Sequence, residues 1–153
     1  MSLDSQKYSR ELHALMEKDE CIAFFTVSHP TLSTQQISEL LQLEPVYALE
    51  DGDTIYESKR HHITQTGSYW RIEVCETGCR ISSEQLLSDL IAHLSGKLPT
   101  IRRLQNEGAK MSLNLHYTLA SNVSSLELSP DLLTQLFQLR IRLRVMTIKP
   151  VDE

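Results

Sequence analysis

Three segments of this chain alternate apolar and polar residues with a period of two, and nothing else in it constrains the fold as strongly. Met111, Leu113, Leu115 and Tyr117 alternate with Ser112, Asn114, His116 and Thr118. Trp70, Ile72 and Val74 alternate with Tyr69, Arg71, Glu73 and Cys75, and Ile141, Leu143, Val145 and Thr147 with Arg142, Arg144, Met146 and Ile148. Successive side chains of a strand point to opposite faces, so each segment reads as a strand with one face in a core and one in water. A fourth segment, Cys21 to Ser28, is apolar on both alternating sets and predicts a central strand. His29-Pro30 ends it, because proline has no N–H for a ladder and restricts the residue before it.

Helical spacing fills the intervals. Ser33 with Gln36 forms a capping box ahead of Ile37, Leu40 and Leu41, and Glu44-Pro45 closes that helix. Ser82 with Gln85 repeats the box before Leu86, Leu87, Leu90, Ile91 and Leu94, with Gly96 as the expected left-handed terminator. Pro99 opens a shorter helix carrying Ile101 and Leu104 and leaving at Gly108. Ser129-Pro130-Asp131 starts a last helix, whose expected buried side is Leu132, Leu133, Leu136 and Phe137. Val46 to Ser68 loses periodicity and reads as a long loop, with room for a short strand around Ile55 or Ile63. If the polar sides of three strands stay wet, helices can cover only the other face. The expected fold is therefore α+β, a two-layer sandwich with a mainly antiparallel four-stranded sheet, helices on one face, ferredoxin-like in form. Residues 1–20 are expected to be a peripheral helix or a remnant of expression, 21–149 one domain, and 150–153 a tail.

Composition narrows the function classes. With 153 residues, 41% of them hydrophobic, the chain can fill an ordinary core, which excludes a disordered tail protein. Lys+Arg of 15 against Asp+Glu of 20 gives a net charge of -5, opposite to what a general nucleic-acid or anionic-membrane binder needs. The longest unbroken apolar stretch, Cys21 to Phe25, is far below the roughly 18 residues that span a bilayer, so no membrane partner is expected. Three cysteines and the lack of an apolar block in the first twenty residues point to reduced thiols and a cytoplasmic location.

Motifs for catalysis or cofactors are weak. His61-His62 and the Cys75/Cys79 pair do not have the paired ligand spacing of a structural zinc site, and neighbouring histidines in an extended segment point apart. Glycines 52, 67, 78, 96 and 108 never cluster as a phosphate loop. There is no Gly-x-Ser-x-Gly elbow, and Asp51-Gly52-Asp53 reads as a turn, since Glu57 lies too close for a calcium loop. No catalytic residue, metal or cofactor is expected. Trp70 reads as a core anchor, with a pocket beside it under the 46–68 loop as the rival reading.

The order of elements resembles the bacterial domain-of-unknown-function family 4279. The residues that carry the likeness are Ile37 to Pro45, Gly52, Trp70, Leu86-Leu87, Ser129-Pro130 and Leu133, within about Cys21 to Ile148. The resemblance implies a compact bacterial domain, supplies no catalytic residues to carry over, and points to immunity-type or toxin-neutralising partners. The remaining feature is the wet side of the strands, where Arg71, Glu73, Asn114, His116, Arg142 and Arg144 would share one face. The bland account is a solvated sheet in which Arg142 or Arg144 pairs with Glu73. The functional account makes Arg71, Asn114, His116, Arg142 and Arg144 a docking face for an acidic protein partner, because arginine is enriched at interfaces. Two alternatives stand beside it: a small-molecule or enzymatic pocket near Trp70, and single-stranded RNA on the open sheet, which the net charge and the absence of a run of aromatics disfavour. A bare strand at a sheet edge would also support a homodimer.

Overall fold

A computed structural model describes residues 20–76, 83–118 and 127–148. The expected N-terminal segment through residue 19, the cap Ser82 and the tail 150–153 lie outside them. In chain order the elements are β1 (Glu20–His29), α1 (Thr34–Leu41), β2 (Tyr47–Leu49), β3 (Thr54–Glu57), β4 (His62–Thr64), β5 (Ser68–Glu76), α2 (Ser83–Ser95), α3 (Leu98–Asn106), β6 (Lys110–Thr118), α4 (Pro130–Leu139) and β7 (Arg142–Ile148). The fold is mixed α+β, with a five-stranded sheet ordered β2-β5-β1-β6-β7 and a separate two-stranded ribbon, β3-β4.

β1 is central, as its two-sided apolar character predicts, and pairs antiparallel with both β5 and β6. β2 pairs antiparallel with β5, whereas β7 runs parallel to β6. The sheet thus has five strands, not four, and is mixed. β2 holds only three residues, too few to print a period of two on the sequence. β7 is parallel because α4 carries the chain back over the sheet before it re-enters, the connection that parallel strands need. The ferredoxin arrangement has its two middle strands in succession without a helix between them. Here α2 and α3 separate β5 from β6, and both strands pair with β1 instead.

One contiguous core lies under one face of the sheet. Ala23, Phe25 and Val27 of β1, Trp70 and Ile72 of β5, and Leu113 and Leu115 of β6 meet Ile37 and Leu41 of α1, five apolar residues of α2, Ile101 and Leu104 of α3, and Leu132, Leu136 and Leu139 of α4. Leu86, Leu87, Leu90 and Leu94 of α2 are wholly buried, and each such side chain stabilises by roughly 1.5–3 kcal/mol. The helices therefore sit on the expected side.

Local chemistry explains the joints. The Ser33 hydroxyl accepts from the Gln36 N–H at 3.2 Å and the Gln36 side chain accepts from the Ser33 N–H at 2.9 Å, which is the expected box. α1 then ends at Leu41, before the expected Glu44, because Gln42 turns left-handed with φ 55°. α2 stops at Ser95, yet Gly96 is not left-handed; the described glycines with positive φ are Gly52, Gly67 and Gly108. His29 is buried, and its Nδ1 accepts from the N–H groups of Thr31 and Leu32 at 3.1 and 2.9 Å, which holds the turn between β1 and α1.

α4 departs from its expected face. Its buried stripe is Leu132, Leu136 and Leu139, while Leu133 is 50% and Phe137 80% exposed. The spacing 132, 136, 139 selects one side of the helix, and 133 and 137 lie about 100° round from it. Arg102 donates to the Gln138 carbonyl at 2.7 Å, and Gln105 to the carbonyls of Leu139 and Arg140, both at 3.3 Å. α3 thus satisfies the last carbonyls of α4 and sets where β7 begins.

The 46–68 segment is not a featureless loop. It carries β2 and the ribbon, with strands at both Ile55 and Ile63. Gly52, at φ 87°, makes the turn, in which Asp53 accepts from the Glu50 N–H and Asp51 from the Gly67 N–H, each at 2.7 Å. The two aspartates build the turn, as expected, by satisfying backbone donors.

Candidate functional site

The face of the sheet away from the helices is a two-dimensional array set by register. Tyr47, Arg71, Thr26, Ser112 and Arg142 form one row across β2, β5, β1, β6 and β7. Glu73, Phe24, Asn114 and Arg144 form the next, and Ile22, His116 and Met146 follow. Arg71, Asn114, His116, Arg142 and Arg144 therefore share one face of the sheet, because residues directly paired across strands project to the same side.

The array is polar at its middle and cationic at one edge. Thr26 and Ser112 hydroxyls lie 2.6 Å apart, and Asn114 Nδ2 donates to Ser112 Oγ at 2.9 Å. Asn114 is only 4% exposed, so on this strand it serves as an internal hydrogen-bonding post more than as a free contact. Phe24, 8% exposed, belongs to this face and not to the core cluster. Its ring lies edge-on to His116 with centroids 4.6 Å apart, and the Arg71 guanidinium sits 5.2 Å from its centroid. The same guanidinium is 4.9 Å from the ring of Tyr47, which stands edge-on to Tyr69 at 6.0 Å. Arg71 is thus held between two rings, an arrangement in which ring quadrupoles attract the cation.

Glu73 pairs with Arg71 on its own strand, Nη2 to Oε1 at 3.0 Å. It does not reach Arg142 or Arg144. β5 and β7 are separated by β1 and β6, three strand spacings, or about 14 Å. Arg142 and Arg144 are consequently exposed and have no carboxylate partner among the described residues. The pKa of His116 is held below its ordinary 6.5, first by burial and then by the charges of Arg71 and Arg144. Two arginines thus bear on the same imidazole.

Sequence reasoning had no signal for Tyr47, which sits on the three-residue β2. Trp70, the anchor of the rival pocket reading, is wholly buried, lies edge-on to Phe25 with centroids 6.2 Å apart, and donates its indole N–H to Ser38 Oγ at 2.9 Å. Neither of two cavities among the described residues touches it: one of about 330 Å³ lies between α2 and α4, the other, about 510 Å³, along the outer side of α1. His61 and His62 are exposed, and no group of three His, Cys, Asp or Glu among the described residues is placed to hold a metal ion. No helix among them is long and apolar enough to cross a membrane.

No curated protein and no solved structure matches this chain. A family match extends over residues 19–148, from the first strand to the last, and so takes in every element that builds this face of the sheet. The chain belongs to the DUF4279 family, described as a domain of unknown function.

Proposed function

We propose that this is a bacterial, cytoplasmic, non-enzymatic interaction domain of immunity or regulatory type, which docks an acidic protein surface at the exposed β7 margin of the sheet face turned away from the helices. The observation that supports it most is the pair Arg142 and Arg144, exposed, two residues apart and unpaired among the described residues, on a chain of net charge -5. Arginine, tyrosine and methionine are enriched where proteins meet, and this face also exposes Tyr47 and Met146. Purification from native cells, with wild type compared against Arg142→Ser/Arg144→Ser, tests the reading. An acidic partner retained by wild type, released by salt and missing from the variant is the expected outcome. The same partner on both proteins would contradict it.

One observation favours a second reading. Tyr47 and Tyr69, edge-on to each other, and Arg71 beside the Tyr47 ring group two aromatic side chains with a cation on one sheet face, the residue types with which sheets bind single-stranded RNA bases. That reading requires binding of an oligonucleotide that weakens steeply with salt and with Tyr47→Ala, and a flat salt response removes it.

A further inference from the structure

We infer that β7 is an acceptor edge for a strand supplied by the partner, an extended acidic segment in which carboxylates alternate with apolar side chains. The inference rests on the docking reading above and narrows the partner to a chemistry. Among the described residues β7 pairs only with β6, runs for seven residues and contains no proline. Arg142, Arg144, Val145, Met146 and Thr147 are all exposed, so this margin is not roofed over.

Edge strands present unpaired N–H and C=O groups, and proteins blunt them by shortness, proline, bulges or charge. The opposite edge, β2, is blunted by shortness at three residues. β7 has only charge, and the charge is of one sign and on one face. Arg142, Arg144 and Met146 point to the open side, while Leu143 and Val145 pair with the core residues Leu113 and Leu115 on the helix side. A strand added at about 4.8 Å would set its own alternate side chains against these two rows. Carboxylates two residues apart, about 6.6–6.8 Å along a strand, would meet the two arginines at matching spacing. Apolar side chains between them would lie beside Leu143 and Val145, and Val145 is left 43% exposed by the chain itself. α4, which leads into β7, leaves Phe137 open within five residues of Arg142. A second copy of this chain fits less well, because pairing β7 with itself gathers four arginines on one face, and like charges opposed across strands destabilise.

The test uses fluorescein-labelled nine-residue peptides of Asp and Val, read by anisotropy at low salt. One alternates the two residue types, and one holds the same composition with all Asp at one end. Two further copies of the alternating peptide are N-methylated at odd or at even amides, since only one set can face β7. The alternating peptide is expected to bind best, with one methylation pattern abolishing binding and the other tolerated. Arg142→Ser/Arg144→Ser, both at exposed positions, should weaken it by about two- to thirty-fold. Equal binding of alternating and blocked peptides, indifferent to methylation, overturns the strand while leaving the acidic docking reading in place. No binding by any peptide overturns both. A dimer of the chain alone, with its β7 amides protected from exchange, puts a second copy at the edge and overturns the peptide.

Discussion

Arg71 shows how one side chain can be spent internally while its neighbours stay available. Its guanidinium is fixed by two rings and by Glu73, and its Nε is buried with no hydrogen-bond acceptor among the described residues. It shapes the patch, and Arg142 and Arg144 face outward. His116 reports on that arrangement. Because burial and two arginines depress its pKa in the folded chain, the unfolded chain takes up a proton first as pH falls. The stability present above the ordinary value of 6.5 is therefore lost as pH falls from there towards the folded pKa, and below that pKa the loss is complete. Replacing Arg144→Ser removes one depressing charge, so the His116 ring resonances should titrate at higher pH in the variant; an unchanged midpoint would mean that Arg144 does not bear on the patch. On the core side, Ser38→Ala leaves the buried Trp70 N–H without its acceptor and should cost about 1–3 kcal/mol by urea unfolding.

At the scale of elements, the long strands and the helices were legible because their residues repeat often enough to show a period. Met111 to Tyr117 and the α2 leucines needed nothing else. β2 was not legible, since Tyr47, Ala48 and Leu49 are too few to alternate, and its place beside β5 is a long-range fact. The exposed flank of α4 is not legible for a related reason: Leu132 and Leu133 are equally apolar, and only the core selects between them. Glycine roles were mixed. Gly52 and Gly67 both have left-handed backbones, but a Cβ at Gly52 would meet nothing, whereas at Gly67 it would lie 2.5 Å from the His29 carbonyl oxygen. Gly52→Ala should therefore cost about 1–2 kcal/mol in thermal or urea unfolding and Gly67→Ala clearly more, because backbone against backbone cannot relax cheaply. Equal losses would show that β1 and the start of β5 are not held as tightly as described.

Across the whole molecule, a net charge of -5 and a cationic sheet edge coexist because, among the described residues, acidic side chains such as Glu50, Asp51 and Asp53, just before the ribbon, and Glu107, just after α3, lie away from that edge. That Arg71, Asn114, His116, Arg142 and Arg144 fall on one face followed from alternation alone. Alternation is silent on strand order, and strand order decides the outcome: β7 at the edge puts two arginines beyond the reach of Glu73. The account's central claim is that partners meet this margin and not the helical layer. Amide hydrogen exchange on the protein alone and with the acidic partner recovered from native cells measures that directly. Slowed exchange along 142–147, with α2 and α4 unchanged, is the expected footprint. Slowed exchange confined to the cleft between α2 and α4, or to the β3-β4 ribbon, would contradict it.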